Sequence, residues 1–399
     1  MRVLQVTTTT VYPPRQGGSH RAHGLLSAFP DEGVSVDRLC QGGILGNHLL
    51  AGGGLSERVI DIGPDYREHR PYSPFHDLAS LPQNLFDIPN VALSSWLRLW
   101  PPRGLRRLLD SATLVMVEGP LQVPGIAALT TETPVVYSSH NVETERFGSV
   151  QTGWFKRKVR DRLAAIEREA VRQSDALVCT SEADAETFRD RFGAPTPIHV
   201  APNGTYADSL VDEPTQRDVT VLDRYGIDPD ALVLIFVGSD YPPNREAARA
   251  LFDVMDGLAE RSVDAHLLIV GDVCDGLESS PENVSLLGFV DDLQSLLKGA
   301  DVAVNPITSG GGSNVKMLDY FGIGLPVVST PFGARGFEVT DGEELLVRDI
   351  EQFSDAIVEL RDRSRRLELG RNGLAYVRAN HVWDAISRDL LSWYRDLFG

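Results

Sequence analysis

The sequence predicts an α/β protein of two parallel-sheet domains. Three observations predict it. Short β-rich apolar runs alternate with amphipathic helical stretches along the whole chain, the pattern of strands joined by crossover helices. The 399 residues suffice for two domains that each bury their own core. A turn-rich, aperiodic segment from Ala201-Pro-Asn-Gly204 to Gln216 interrupts the alternation near the middle.

In the first half the apolar runs place strands at Val3–Val6, Val34–Leu39, Leu114–Val117, Val135–Tyr137, Ala176–Cys179 and Ile198–Val200. Helices fit Arg21–Phe29, Val123–Thr130, Phe155–Gln173 and Glu182–Phe192. In the second half strands fit Leu232–Val237, His266–Val270, Val284–Leu287, Val302–Asn305, Val327–Ser329 and Leu345–Val347. The helices there fit Arg245–Leu258, Leu293–Leu297, Val315–Gly322 and Phe353–Asn380. Trp383, Ile386, Leu390, Leu391, Trp393, Tyr394 and Leu397 then recur at helical spacing. The expected domains are residues 1–205 and 206–380, with a closing helix in 381–399 that crosses back to the first. Gly42–Gly54 and Gly63–Pro102, rich in glycine or proline, read as loops.

Composition narrows the function. A formal charge of −18 argues against nucleic acid as a partner, because phosphate backbones attract basic surfaces. Cys40, Cys179 and Cys274 are far apart and in no CxxC spacing, so neither a disulfide framework nor a zinc site is expected. No run of about 18 uncharged apolar residues occurs, so no membrane-spanning helix is expected. The start, Met1-Arg-Val-Leu-Gln-Val6, reads as a strand rather than a signal peptide, and the expected compartment is the cytoplasm.

One segment carries chemistry. The strand ending at Asn305 is followed by Ser309-Gly-Gly-Gly-Ser-Asn314 and then a helix, an arrangement in which backbone N–H groups approach an anion. Lys316 falls in the first turn of that helix, where the macrodipole disfavours a cation. An anion bound there offsets both. Asp319 lies three residues on, on the same helical face, suited to ribose hydroxyls. A solvated Lys–Asp pair on a flexible glycine loop is the alternative. Gly238-Ser-Asp-Tyr-Pro-Pro-Asn-Arg245 repeats the arrangement, with Asn244 as N-cap and Arg245 at the helix start. Arg245 either joins Lys316 at a diphosphate or pairs with Asp240 or Glu246. Neither segment matches a dinucleotide fingerprint or a P-loop.

Gly310-Gly-Gly-Ser-Asn-Val-Lys-Met-Leu-Asp319 through Gly324-Leu-Pro-Val-Val-Ser-Thr330 resembles the glycine-rich motif of family 4 glycosyltransferases, retaining enzymes of the GT-B fold. Gly17-Gly18, His140-Asn-Val-Glu143, Pro202-Asn-Gly204, Phe236-Val-Gly238, Leu268-Ile-Val-Gly271, Leu287-Gly-Phe-Val290 and Gly333-Ala-Arg-Gly336 add matches in both halves. The resemblance implies two Rossmann-like domains facing a cleft, the first for the acceptor and the second for a nucleotide-sugar donor. It implies that Lys316 neutralises the diphosphate and Asp319 holds the ribose. Gly311, Gly312, Ser313 and Asn314 would supply the donor loop, with Gly238 and Arg245 beside it, and the backbone at Phe289 and Val290 would contact the base. Gly17 and Gly18 would approach the phosphates on domain closure, and His140 would face the sugar. The family's E-x7-E pattern has Gly311 and Asp319 here, and its E-A-x-A is Asp319-Tyr-Phe-Gly322.

No metal or other cofactor is expected. Asp291-Asp292 reads as a helix cap, and fixed cations and backbone dipoles can stabilise a leaving diphosphate. The expected acceptor is a glycan or a polyprenyl-linked sugar. Two basic stretches, Trp154–Leu163 and Trp96–Leu109, suit anionic lipid headgroups at the inner face of the cell membrane. Alternatives are a sugar-nucleotide 2-epimerase and a non-catalytic or partner-dependent GT-B nucleotide-sugar-binding protein.

Overall fold

The computed structural model of the chain describes residues 1–40, 58–71, 89–145, 154–214, 217–311 and 314–399. The chain divides into two compact units, Met1–Asn203 with Trp383–Gly399, and Gly204–Val382.

The first unit contains β1 (Arg2–Thr7), β2 (Ser35–Cys40), β3 (Arg58–Gly63), β4 (Tyr66–Arg70), β5 (Leu114–Glu118), β6 (Val135–Ser138), β7 (Ala176–Cys179) and β8 (Ile198–Val200). They form one sheet in the order β3-β4-β2-β1-β5-β6-β7-β8, parallel except for the antiparallel β3–β4 pair. Continuous apolar runs suit strands covered on both faces, and every residue of β5, β6 and β7 is buried. The chain lays β2 on one side of β1 and later β5 on the other. A crevice therefore opens at the C-terminal ends of β1 and β5, where connections diverge to opposite sides.

The second unit contains β9 (Leu232–Val237), β10 (Ala265–Val270), β11 (Val284–Gly288), β12 (Val302–Asn305), β13 (Val327–Ser329) and β14 (Leu346–Val347). Its all-parallel order, β11-β10-β9-β12-β13-β14, has the same reversal between β9 and β12. Leu232, Leu234 and Phe236 pack on one side of the sheet with the helix Pro242–Glu260. Val233 and Ile235 point to the other side, with Met317, Leu318 and Phe321.

The helix Trp383–Phe398 belongs to the first unit. Its apolar stripe is buried, with Trp383 lying on the helix Gly17–Gly24 and Tyr394 edge-on to Phe29. A Cβ added at Gly24 would stand 2.1 Å from the Trp383 ring, far inside contact distance. Gly24→Ala is therefore expected to destabilise the unit by roughly 1–3 kcal/mol through overpacking. A thermal melt followed by tryptophan fluorescence checks this, and an unchanged midpoint would refute the packing.

Several sequence expectations need correction. The first helix runs Gly17–Gly24 rather than Arg21–Phe29, so Gly17 and Gly18 open a helix instead of lying in a loop. The helix expected at Arg245–Leu258 begins at Pro242, since two prolines fit the first turn, where no N–H is needed. Phe353–Asn380 is two helices, Phe353–Glu359 and Arg363–Asn380, the second capped by Asp362 on the Ser364 N–H. Within Gly63–Pro102, read as loop, lie β4 and the helix Leu93–Leu99, and β3 ends at its start. Charged residues break the apolar pattern of both strands: β3 is the exposed edge strand, whereas β4, between β3 and β2, buries Glu68 against Arg38. Gly42–Gly54 falls outside the described residues.

Candidate functional site

In the second unit, the turns after β9 and β12 converge. After β9 the chain passes through Gly238 into the helix Pro242–Glu260, whose N-cap is Tyr241, so Asn244 is its third residue and not its cap. Asn244 is buried, and its amide nitrogen donates to the Ser239 carbonyl at 3.0 Å. Its amide oxygen accepts from the Lys316 ammonium at 3.1 Å. The same ammonium stands 4.3 Å from the centre of the Phe236 ring, a cation–π distance. Gly238 permits this, because a Cβ there would press on both Asn244 and Phe236 at 3.2 Å.

After β12 the chain enters the Gly310 turn. Gly310 has φ +114°, and an added Cβ would meet Pro243 and Tyr241 at 3.2 Å, so this turn leans on the turn after β9. Asn314 donates to the Gly333 carbonyl at 2.9 Å, as the buried Asn305 does at 3.0 Å. A Cβ at Gly333 would stand 2.7 Å from the Asn305 carbonyl oxygen. The Gly333-Ala-Arg-Gly336 segment thus braces the glycine turn from behind, and Arg335 donates to the Gly310 carbonyl at 3.3 Å.

Lys316 opens the helix Lys316–Gly322, and Asp319 follows on its exposed side. Desolvation lowers the Lys316 pKa to about 7. Protein crowds Asp319 despite its open face, and that desolvation pushes its carboxyl up to about 6. Neither group has an ion-pair partner among the described residues. Arg245 does: it pairs with Asp240 at 2.9 Å and lies over Gly276. Neighbouring helical residues point about 100° apart, so the residue after Asn244 turns away from Lys316. Of the two readings for Arg245, the ion pair is the one the structure forms. Gly311 is in place beside Gly310, whereas Gly312 and Ser313 lie outside the described residues. Phe289 projects at the end of β11, 75% exposed, followed by Val290. Asp292 caps the helix Leu293–Lys298 by accepting from the Ser295 N–H at 3.0 Å.

The bulky Tyr320, where the family motif carries alanine, and its neighbour Phe321 have structural work. The Tyr320 hydroxyl accepts from the Val237 N–H at 2.9 Å, just before Gly238. Phe321 fills the space over Gly373, where an added Cβ would approach it to 2.5 Å.

The first unit has a site of its own at its β1–β5 crevice. His140, past the end of β6, meets the buried Glu118 at the end of β5, Nε2 to Oε2 2.7 Å. Burial alone would raise the Glu118 pKa. The His140 hydrogen bond and the nearby positive charges win, holding the carboxyl below the ordinary range. An ionised carboxylate only accepts, so Nε2 donates and Nδ1 is left toward Gly18, 3.5 Å from a Cβ built there. Gln5 on β1 donates to the other Glu118 oxygen at 2.6 Å. Glu167 fixes the loop after His140. Fully buried on the helix Trp154–Gln173, it accepts from the Glu143 and Thr144 N–H groups at 2.8 and 3.1 Å. Burial pushes its carboxyl up to about 7. A cavity of about 670 Å³ opens over His140, Glu118 and Gly18.

The family model described as "Glycosyl transferase 4-like domain" matches residues 16–204, and "Glycosyl transferases group 1" matches residues 231–363. The chain belongs to the family 4 glycosyltransferases. Among solved structures, the glycosyltransferase is similar to the sucrose-phosphate synthase of Thermosynechococcus elongatus, with TM-score 0.71 and 17% identity over 100% of this chain and 99% of that one. It is also similar to Anabaena HepE in complex with UDP, with TM-score 0.66 and 15% identity over 99% and 100%. WaaG, a glycosyltransferase involved in lipopolysaccharide biosynthesis, matches with TM-score 0.63 and 16% identity over 97% and 98%. These likenesses show the GT-B fold. No curated protein matches the sequence of this glycosyltransferase.

The sequence singles out Lys316, Asp319, Gly18 and His140, but not Asn244 as the hydrogen-bond partner of Lys316, nor Glu118, Gln5 and Glu167 as supports of His140 and its loop. Glu118 ends an otherwise apolar strand, Leu114-Val-Met-Val-Glu118. A carboxylate at the C-terminal end of a parallel strand is the signal that could have found it.

On the surface, Arg157, Lys158, Arg160 and Arg162 of the helix Trp154–Gln173 face solvent, while Val159 and Leu163 turn inward with Val91. Val91 leads into the helix Leu93–Leu99, after which Leu99 and Trp100 are 67% and 54% exposed beside Arg98 and Arg103. Among the described residues, no helix is long and apolar enough to cross a membrane.

Proposed function

We propose that this glycosyltransferase moves a sugar from a nucleotide-diphosphate donor to a saccharide or lipid-linked acceptor, with retention and without a metal. The observation that carries the reading is Lys316: a partly buried ammonium that, among the described residues, is held by neutral groups, Asn244 and the Phe236 ring, at the crevice of the second sheet. A desolvated cation without a counter-ion is costly unless an anion completes it. The Gly310 turn adds backbone donors, Asp319 stands ready for ribose hydroxyls, and Phe289 offers a ring for the base. That Anabaena HepE was solved with UDP and with UDP-glucose supports a nucleotide sugar as the ligand.

In this reading the ammonium and backbone dipoles stabilise the diphosphate as the sugar–oxygen bond breaks, which is why no divalent ion is required. The cavity over His140 takes the acceptor. A thermal-shift screen with UDP-, GDP- and ADP-sugars tests the donor site. At least one is expected to raise the melting midpoint of the wild type and not that of Lys316→Ala. An equal response in the variant would refute the assignment. The anomeric configuration of the product, read by NMR, tests retention.

Gly311, where the E-x7-E pattern has its first Glu, favours a second reading, a nucleotide-sugar-binding protein without turnover. Donor hydrolysis assayed without acceptor separates the two. The exposed cations of Trp154–Leu163, with Leu99 and Trp100, further support docking on an anionic membrane surface. The protein is expected to float with phosphatidylglycerol vesicles at low salt and to be released at high salt. Its absence from the floating fraction would remove the membrane.

A further inference from the structure

The cavity over His140 has a second wall whose charge the glycosyl transfer reading does not use. Strands β3 and β4 place Arg58 directly opposite Arg70 in antiparallel register, so both side chains leave the same face of the ribbon. Both line the cavity, together with Arg15 from the turn after β1. Like charges directly opposite each other destabilise a strand pair. In a chain of net charge −18, such a cluster calls for a counter-charge.

The nearby Glu68 supplies it to Arg70 alone, with which it forms an ion pair. Glu68 lies two residues before Arg70 on the same face and is fully buried. One of its oxygens accepts from Arg70 Nε at 2.7 Å. The other accepts from Arg38 Nη1 at 3.1 Å and from the Tyr12 N–H at 3.0 Å. Arg38 is itself fully buried and continues to Gln5 at 2.7 Å, and Gln5 continues to Glu118. A buried ladder of hydrogen bonds thus runs from His140 at one end of the cavity to Arg70 at the other. It orients Arg70 and leaves Glu68 nothing to offer Arg58. Of the other cavity carboxylates, Glu118 serves His140, and Glu143 belongs to the loop that Glu167 holds. Arg15 and Arg58 have no carboxylate partner among the described residues, and both are exposed.

We propose that this wall is an anion subsite, and that the acceptor carries a phosphate group bound by Arg15, Arg58 and Arg70. Several guanidinium forks lining one wall match the oxygens of a phosphate dianion better than a single carboxylate. The phosphate then anchors the acceptor at the far end from His140 and leaves a hydroxyl free to reach the reacting carbon. The inference rests on the assignment of this cavity to the acceptor, and it narrows the acceptor class to free sugar phosphates or lipid-linked ones.

The test is isothermal titration of the full chain carrying Lys316→Ala, so that phosphate does not report on the donor site. Glucose 6-phosphate is expected to bind at least about tenfold more tightly than glucose, and adding Arg15→Gln with Arg58→Gln should abolish that preference. Both arginines are exposed, and an unchanged melt without ligand confirms that the variant folds. Geranylgeranyl phosphate in detergent micelles, titrated in parallel, identifies the source. Tighter binding of the lipid probe marks a lipid-linked acceptor, and tighter glucose 6-phosphate a free sugar phosphate. Absence of binding by both phosphates, or binding that survives loss of both arginines, overturns the subsite. UDP binding by the wild-type chain is measured alongside. Its presence with a failed phosphate arm refutes the subsite alone, whereas its absence refutes the donor reading.

Discussion

Replacing Lys316 by alanine is expected to lower kcat/KM for sugar transfer by about a hundredfold or more, as when a preorganised charge is removed from a developing anion. The loss should carry a pH signature. Desolvation pulls the pKa of the ammonium down to about 7. A bound diphosphate favours the protonated form and raises that value. Donor affinity should therefore be highest below pH 7 and weaken as the pH climbs toward the value in the complex. Lys316→Ala should lack that slope. Donor binding to the wild type that is flat across this range would contradict the assignment. Stability should move the other way. The folded pKa lies below the ordinary 10.5, so the unfolded chain holds more protons between about 7 and 10.5, and stability rises with pH in that window. Lys316→Met is accordingly expected to raise the melting midpoint at pH 6 and to raise it less at pH 10. If both results hold, the residue proposed to serve transfer is one the fold would do better without.

His140→Ala is expected to reduce kcat by roughly a hundredfold or more while leaving UDP binding to the second unit unchanged. Glu118→Gln tests how the ring is held. The carboxylate only accepts, which obliges Nε2 to donate and frees Nδ1 on the Gly18 side. An amide can present its NH₂ instead and stabilise the opposite tautomer. Turnover should fall, with little change in donor KM, and the pH–rate profile should shift. A kcat unaffected by either substitution would place the chemistry elsewhere.

Much of the architecture could be read from the chain because its strands are continuous apolar runs covered on both faces. The runs at Leu114–Val117, Ala176–Cys179 and Leu232–Val237 needed no tertiary knowledge, and their strands form at those residues or one beyond. β3 and β4 were illegible for the converse reason. Charged residues interrupt both, and what makes Tyr66–Arg70 a strand is its pairing with β2 and the burial of Glu68 against Arg38, both distant in sequence. The site divides the same way. Lys316 and Gly310 stand in one contiguous motif, whereas Asn244 reaches Lys316 from 72 residues away and Gln5 reaches Glu118 from 113. Local pattern reveals a ligand's neighbours along the chain. It does not reveal those across the sheet.

The first unit is discontinuous, closed by a helix that follows the whole of the second. As the chain emerges during synthesis, Gly204–Val382 is complete in itself and can fold without waiting. The first unit has its sheet early, yet Gly24 and Phe29 lack their cover until Trp383 and Tyr394 arrive. Its apolar surface therefore stays open through the synthesis of nearly half the protein. The part that is made first is the last to be finished, and loss of the final helix alone would spare Gly204–Val382 while stranding the other unit.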